Sequence, residues 1–342
     1  MKKILIYFVG FLTLFFILPV ICTVIPNKDI AQESIEVMED TEIQIQEKKE
    51  QEQYEEQKYK TIRLLHQDTG QIEELNLEEY LYGVVSSEMP VSFEIEALKA
   101  QSIVARTYTI YQIINNGGKH ENADICDDFN CCQAWISKQE RISKWNAEEA
   151  ESNWNKIVEA VDSTRGKIVA YNGKPINAFF HANSGGITES SLNIWGGIDY
   201  PYLKSVETSG EEGYTQYASE VSLSYQELLD KVKVKYADCE IDFSQQDCIQ
   251  ILEYTTSGRV KTIKFGNKEI AGTEARTLLG LKSTNFIFTI TNEMITFIVT
   301  GYGHGVGMSQ TGADALAKTG LHYELIIQHF FTGVEIIEVK SL

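Results

Sequence analysis

Residues 76–113 read NLEEYLYGVVSSEMPVSFEIEALKAQSIVARTYTIYQI. The stretch breaks naturally at Pro90. Before it, Asn76 to Met89 carries helical periodicity, with Leu77, Leu81, Val84 and Val85 on one apolar stripe. Asn76 is a suitable cap, and Glu79 three residues on makes an Asn variant of the capping box. Met89-Pro90 stops the helix, because a residue before proline is pushed away from helical geometry. One more turn along the stripe arrives at Glu88. This carboxylate stands on the apolar side of a helix near its negative end, where desolvation and the helix dipole both favour the protonated form. A carboxylic acid kept protonated near neutral pH is what a general acid requires. A partly buried glutamate paired to a nearby cation fits the same pattern.

After Pro90, Ser92 is a plausible cap, and Phe93 to Ile113 keeps helical spacing without a breaker. Phe93, Ala97, Ala100, Val104 and Tyr108 are the expected core positions. Lys99 and Arg106, two turns apart, share another stripe with Ile103 and Ile110. In a helical hairpin these cations either point toward the cleft that holds Glu88 or form a solvated basic face.

The chain has 342 residues and a formal net charge of −19. The acidic balance and the lack of an arginine-rich run argue against nucleic-acid binding. Lys2-Lys3 precede an apolar run to Ile25, long enough for the roughly 20 residues that cross a bilayer. It offers no small-residue cleavage pattern, so residues 1–25 are expected to be an uncleaved anchor with a cytoplasmic N-terminus and everything after it exported. Residues 26–60, rich in Glu, Gln and Lys, cannot bury a core and read as a stalk. Residues 61–342 are the exported domain.

Along that domain, Glu148 to Val161 reads as a helix ending before Gly166. KIVAY-NG-KPINAFFHA is a hairpin about Asn172-Gly173 that leads through His181 into HANSGGIT. SYQELLDKVKVKY is helical with Ser224 and Glu227 as a capping box. Hairpins are expected around Ser257-Gly258 and within NFIFTITNEMITFIVT, with TEARTLLGL a short helix between them. Hairpins interspersed with helices predict an α+β architecture: a helical hairpin and several antiparallel β-hairpins in a two-lobed domain with a central cleft, 206–300 forming a β-rich lobe, preceded by one transmembrane helix.

Two further clusters carry chemistry. His120, Cys126, Cys131 and Cys132 offer four nitrogen or sulfur ligands in a short polar loop. Zinc takes such ligands in a tetrahedron, and four protein ligands would make it structural. Disulfides are the alternative in an exported domain, although three cysteines leave one over. Cys239 and Cys248 are either partners or buried thiols. Gly301, Gly303, Gly305 and Gly307 frame His304, which is either structural or on the substrate side. A phosphate loop would need a lysine where Gly307-Met308-Ser309 has none.

SSEMP, EALKAQSIVARTYTI, FHANSGGIT, PYLKSV and GYGHGVGMSQTGA, in this order, resemble the stage II sporulation protein D family of membrane-anchored peptidoglycan lytic transglycosylases in endospore formers. The likeness covers about residues 61–342. It implies that Glu88 is the catalytic acid and that Lys99, Arg106, Tyr202 and Lys204 support substrate binding. Ser184, Gly185 and His304 complete the expected substrate-binding set. It also implies a zinc site like that of clostridial members, which resemble this chain there with two histidines and two cysteines. Cys131 stands where a histidine would, leaving His120, Cys126, Cys131 and Cys132. The expected reaction cleaves the MurNAc–GlcNAc bond of peptide-stripped glycan strands to 1,6-anhydro-MurNAc products during engulfment. The expected partners are peptidoglycan, a sporulation amidase and a membrane scaffold protein. The rival readings are a non-enzymatic glycan-binding module that enhances a partner amidase, and a zinc hydrolase.

Overall fold

The computed structural model describes residues 59–115 and 119–341. The expected anchor, 1–25, and the stalk as far as residue 58 lie outside the described residues. Among the described residues no helix is long and apolar enough to cross a membrane.

Strands β1 (Thr61–Leu65) and β2 (Ile72–Asn76) pair antiparallel, an element the sequence pattern does not single out. Only Ile62 and Leu64 are fully buried, the alternation of a sheet with one wet face. Asn76 then caps α1 (Leu77–Glu88). Its side chain accepts from the Glu78 N–H at 2.9 Å, and Glu79 is exposed, so the cap bonds one residue earlier than the expected box. Such a cap contributes about 1 kcal/mol. Leu77, Leu81, Val84 and Val85 all bury, each contributing roughly 1.5–3 kcal/mol. Met89 leaves the helix extended (φ −120°, ψ 140°), as the residue before a proline must.

Helix α2 (Ile95–Asn115) starts two residues later than the spacing suggests, with Phe93 buried in the connection. It is the central rod of the fold. Strand β3 (Ile125–Cys126) joins β1 in parallel, and α3 (Lys138–Ser143) and α4 (Ala150–Asp162) follow. Strands β4 (Lys167–Tyr171) and β5 (Lys174–Pro175) form the expected hairpin, with Asn172 and Gly173 both at positive φ (52° and 72°), as a type I′ turn requires. Strand β6 (Phe180–His181) and helix α5 (Ser191–Trp195) come next.

The chain then leaves this first core and builds a second one. It comprises β7 (Ala218–Ser224), α6 (Tyr225–Lys233), β8 (Ile249–Tyr254), β9 (Val260–Phe265), β10 (Lys268–Ala271), α7 (Gly272–Leu279), β11 (Phe286–Ile290) and β12 (Met294–Thr300). Two antiparallel sheets, ordered β10-β9-β8 and β11-β12-β7, enclose Phe265, Phe286 and Phe297. Ser224 and Glu227 form the full capping box of α6. Cys239 and Cys248 are buried free thiols in this core.

The chain returns to the first core through β13 (Met308–Ser309), α8 (Gln310–Lys318), α9 (Tyr323–Phe330) and β14 (Glu335–Glu338). Strand β13 lies parallel to β6, and β14 pairs antiparallel with β4. Helix α2 touches α1, α4, β4, α8 and α9, so polar residues along its middle, Gln101 to Thr109 among them, are buried against protein. Thr107 illustrates the consequence: its hydroxyl accepts the Val169 N–H at 2.8 Å and donates to the Ile103 carbonyl at 2.6 Å. The expected α+β mixture with several antiparallel sheets is what the described residues show.

Candidate functional site

Glu88 ends α1 with its side chain partly buried. Two neutral donors reach its carboxyl: the Ala134 N–H at 2.9 Å on Oε1, and the Gln310 side-chain amide at 3.1 Å on Oε2. Burial raises its pKa above the ordinary 4.5, and the two donors oppose the rise without cancelling it. Among the described residues no cation is paired with Glu88. The alternative reading, a glutamate neutralised by a nearby cation, therefore does not describe this side chain.

Ala134 is held by its neighbours. The Gln133 amide donates to the Tyr80 hydroxyl and to Thr109 Oγ1, both at 3.0 Å. Trp135 packs closely against α1 at Gly83, where a Cβ would come within 2.2 Å of the indole nitrogen. Glycine is thus needed at 83 for close approach. Just upstream, His120, Cys126, Cys131 and Cys132 converge, with ligand atoms all within 4.8 Å of one another. His120 Nε2 is 3.3 Å from Cys132 Sγ and 3.7 Å from Cys131 Sγ, and the two sulfurs are 3.9 Å apart. The edges of a tetrahedron about zinc are about 3.8 Å between sulfurs and about 3.6 Å from nitrogen to sulfur, given the usual bond lengths. A disulfide needs about 2.05 Å, and all three cysteines are free thiols. The residues fit a four-coordinate metal, and Lys119, with Nζ 3.8 Å from Cys132 Sγ, would offset part of the charge that metal-bound thiolates carry.

Gln310 is the first residue of α8, immediately after the glycine loop. Gly307 (φ +74°) lets that loop pass β6: a Cβ there would lie 2.0 Å from the Phe179 carbonyl oxygen. Buried Glu211 fixes the start of α8. It accepts from the Ser184 and Gly186 N–H groups, both at 3.1 Å, from Thr208 at 2.7 Å and Thr311 at 2.9 Å, and from the hydroxyls of Ser184 and Ser309. Burial works to raise its pKa, but these hydroxyls hold it below the usual carboxylate value, so Glu211 is an ionised anchor. Nothing in the local sequence marks Glu211 or Ala134, and Gln310 shows only as part of a longer motif.

The other expected site residues divide sharply. His304 is half-buried; its Nδ1 accepts the Val306 N–H at 3.0 Å, and burial followed by the neighbouring His181 keeps it well below its ordinary pKa. Lys99 is paired with Glu96 at 2.8 Å and Lys204 with Asp199 at 2.9 Å, both at least partly solvated. Three residues expected to meet substrate are instead interior. Arg106 is 0% exposed, bonded to Glu78 at 3.0 and 2.6 Å and to the Lys167 and Val161 carbonyls, because α2 is covered on the face that a two-helix picture leaves open. Tyr202 is buried with its hydroxyl accepting the Asn177 N–H at 3.0 Å. Ser184 belongs to Glu211, and the Gly185 N–H is taken by Asn183 Oδ1 at 2.8 Å.

The family described as Stage II sporulation protein matches residues 65–171, the window that holds Glu88, the metal-like cluster and Ala134. The chain is 37% identical over 272 residues to stage II sporulation protein D of Bacillus amyloliquefaciens, covering 79% of this chain and 76% of that protein. It is 35% identical over 271 residues to the protein of that name in Bacillus subtilis, covering 79% and 77%. A Bacillus subtilis protein named amidase enhancer is 30% identical over 300 residues, 74% of this chain but 39% of that protein. With more than a third of the positions identical over about three quarters of both chains, the protein belongs to the stage II sporulation protein D family.

Proposed function

We propose that the chain is a peptidoglycan lytic transglycosylase of sporulation, cleaving the MurNAc–GlcNAc bond of peptide-stripped glycan strands. The observation that carries this reading is the Glu88 carboxyl, raised in pKa by burial and touched only by neutral donors. The Ala134 N–H donates to Oε1 and the Gln310 amide to Oε2, so both donors hold the carboxyl in one orientation. The protonated Glu88 carboxyl gives its proton to the glycosidic oxygen as the bond from that oxygen to C1 breaks through an oxocarbenium-like state. The muramic acid 6-hydroxyl attacks C1, and its proton passes to the Glu88 carboxylate, which restores the acid. Because the sugar supplies its own nucleophile, one carboxylate serves where hydrolases use two.

His120, Cys126, Cys131 and Cys132 would hold zinc in a closed sphere, supplying structure to the loop that presents Ala134. Residues 1–25 would anchor the chain in the membrane with the domain outside, working beside a sporulation amidase and a membrane scaffold protein during engulfment. Mass spectrometry of the sugars released from purified glycan strands tests the reading: 1,6-anhydro products are expected, and reducing ends carrying added water would make the protein a hydrolase. The relative named amidase enhancer favours a second reading, a glycan-binding module that stimulates an amidase. That reading predicts no product from the purified chain acting alone.

A further inference from the structure

We infer that Trp195 and His304 form a stacking subsite for one neutral pyranose ring of the glycan strand, beside the Glu88 carboxyl. The inference rests on the glycan reading of the site and names where on the surface one sugar is held.

Trp195 is 50% exposed, yet its ring is not loose. Its centroid lies 4.6 Å from Phe179 and 5.2 Å from His304, and Phe179 backs His304 edge-on at 6.0 Å. The short helix α5 that carries it is pinned. Fully buried Glu189 accepts the Ser190 N–H at 2.7 Å and the Asn193 amide at 2.8 Å on one oxygen, and the Ser257 hydroxyl on the other. The Glu189 N–H donates to the Gly305 carbonyl at 2.8 Å, which ties α5 to the glycine loop. A large aromatic face held rigidly in solvent has already lost the freedom that ligand binding would otherwise remove.

The subsite is continuous with Glu88. The Phe179 carbonyl accepts the Met308 N–H at 3.0 Å, Ser309 pairs with His181, and the next residue, Gln310, bonds the carboxyl. Phe179, which backs the aromatic shelf, and Gln310, which bonds the carboxyl, therefore flank one short strand pair, β6 and β13.

The chemistry of the shelf selects its occupant. A pyranose presents C–H bonds on its apolar face, which suit the electron-rich face of an indole. His304 is kept neutral, and burial with Arg259 nearby pushes His181 down to about 3, so neither ring offers an anion a cation. Leu192 and Ile198 are also exposed beside Trp195, which makes a lipid surface the competing occupant. The ring lies back on the glycine loop rather than standing clear of it, which favours the sugar.

The test uses the full chain carrying Glu88→Gln, so that turnover does not interfere, and peptide-free glycan strands as the probe. Trp195→Ala weakens glycan affinity about tenfold, the size of one aromatic stack. Trp195→Phe keeps affinity within about threefold but abolishes the change in tryptophan emission on binding, a readout that survives if the alanine variant folds poorly. In the Glu88 chain, Trp195→Ala raises KM about tenfold and leaves kcat unchanged. Unchanged affinity in Trp195→Ala, or an emission change that persists in Trp195→Phe, overturns the inference. So does unchanged glycan affinity alongside lost binding to phosphatidylglycerol vesicles. If no anhydro product forms but Trp195→Ala loses glycan affinity, the cleavage reading fails and the subsite stands; anhydro product with unchanged KM has the opposite meaning.

Discussion

The Gln310 side-chain amide donates to Oε2 of Glu88 at 3.1 Å, joining residues 222 positions apart. The contact connects the C-terminus of α1 to the start of α8 and so brings the glycine loop to the carboxyl. It has an electrostatic cost for an acid, because a donor on the carboxylate favours ionisation. The site thus combines burial, which raises the pKa, with two donors that position the group and moderate the rise.

Gln310→Ala should move the basic limb of the pH–rate profile to higher pH. That limb reports loss of the acid's proton, and removing a donor to the carboxylate raises the pKa further. Gln310→Glu should move it in the same direction, since a second carboxylate disfavours ionisation of the first. A limb that stays in place in both variants would show that Gln310 does not influence the acid.

Glu88→Gln should abolish cleavage and also stabilise the fold. The folded-state pKa lies above the ordinary 4.5, so the native state holds its proton more tightly than the unfolded chain. Stability therefore falls as pH rises from the unfolded to the folded pKa, and the deficit persists above that window. Glutamine escapes it. Melting curves should place Glu88→Gln above wild type at neutral pH, with the gap closing in acid below about pH 4.5. A gap that widens in acid would show the opposite sign.

Arg106→Ala should cost about 3–5 kcal/mol, because it leaves the Glu78 carboxylate buried and unpaired. Arg106→Met combined with Glu78→Leu should recover most of that stability. Urea unfolding measures both. In variants that fold, KM should match wild type, since the guanidinium has no exposure to substrate; a raised KM in the stable double variant would restore Arg106 to the binding site.

The purified chain should hold one equivalent of zinc. Cobalt substitution should give the charge-transfer absorption of thiolate ligands, and Cys126→Ser should lower metal affinity by about 100-fold or more. Chelation should lower the melting temperature, with activity lost as the 119–135 loop loosens rather than at once. Metal absent from elemental analysis, or immediate loss of turnover with the melting temperature unchanged, would contradict a structural role.

Several elements were legible because their causes are local. The Asn172-Gly173 turn, the Ser224/Glu227 capping box and the end of α1 at Met89-Pro90 each depend on dihedral preferences or hydrogen bonds within a few residues. The short strands escaped such a reading. β6 and β13 are two residues each, too brief for any period, and exist only because a glycine-rich loop passes close enough to pair.

By itself, the sequence determined that a carboxyl would stand at the apolar end of a helix and that four sulfur and nitrogen ligands would share one loop, since both follow from spacing along the chain. The tertiary structure alone decided that Glu88 meets an N–H 46 residues away and an amide from the far end of the chain. It also decided that Arg106 turns inward to Glu78 rather than toward the carboxyl. Helical periodicity says which residues share a face; which neighbour covers that face is chosen by how the whole core packs.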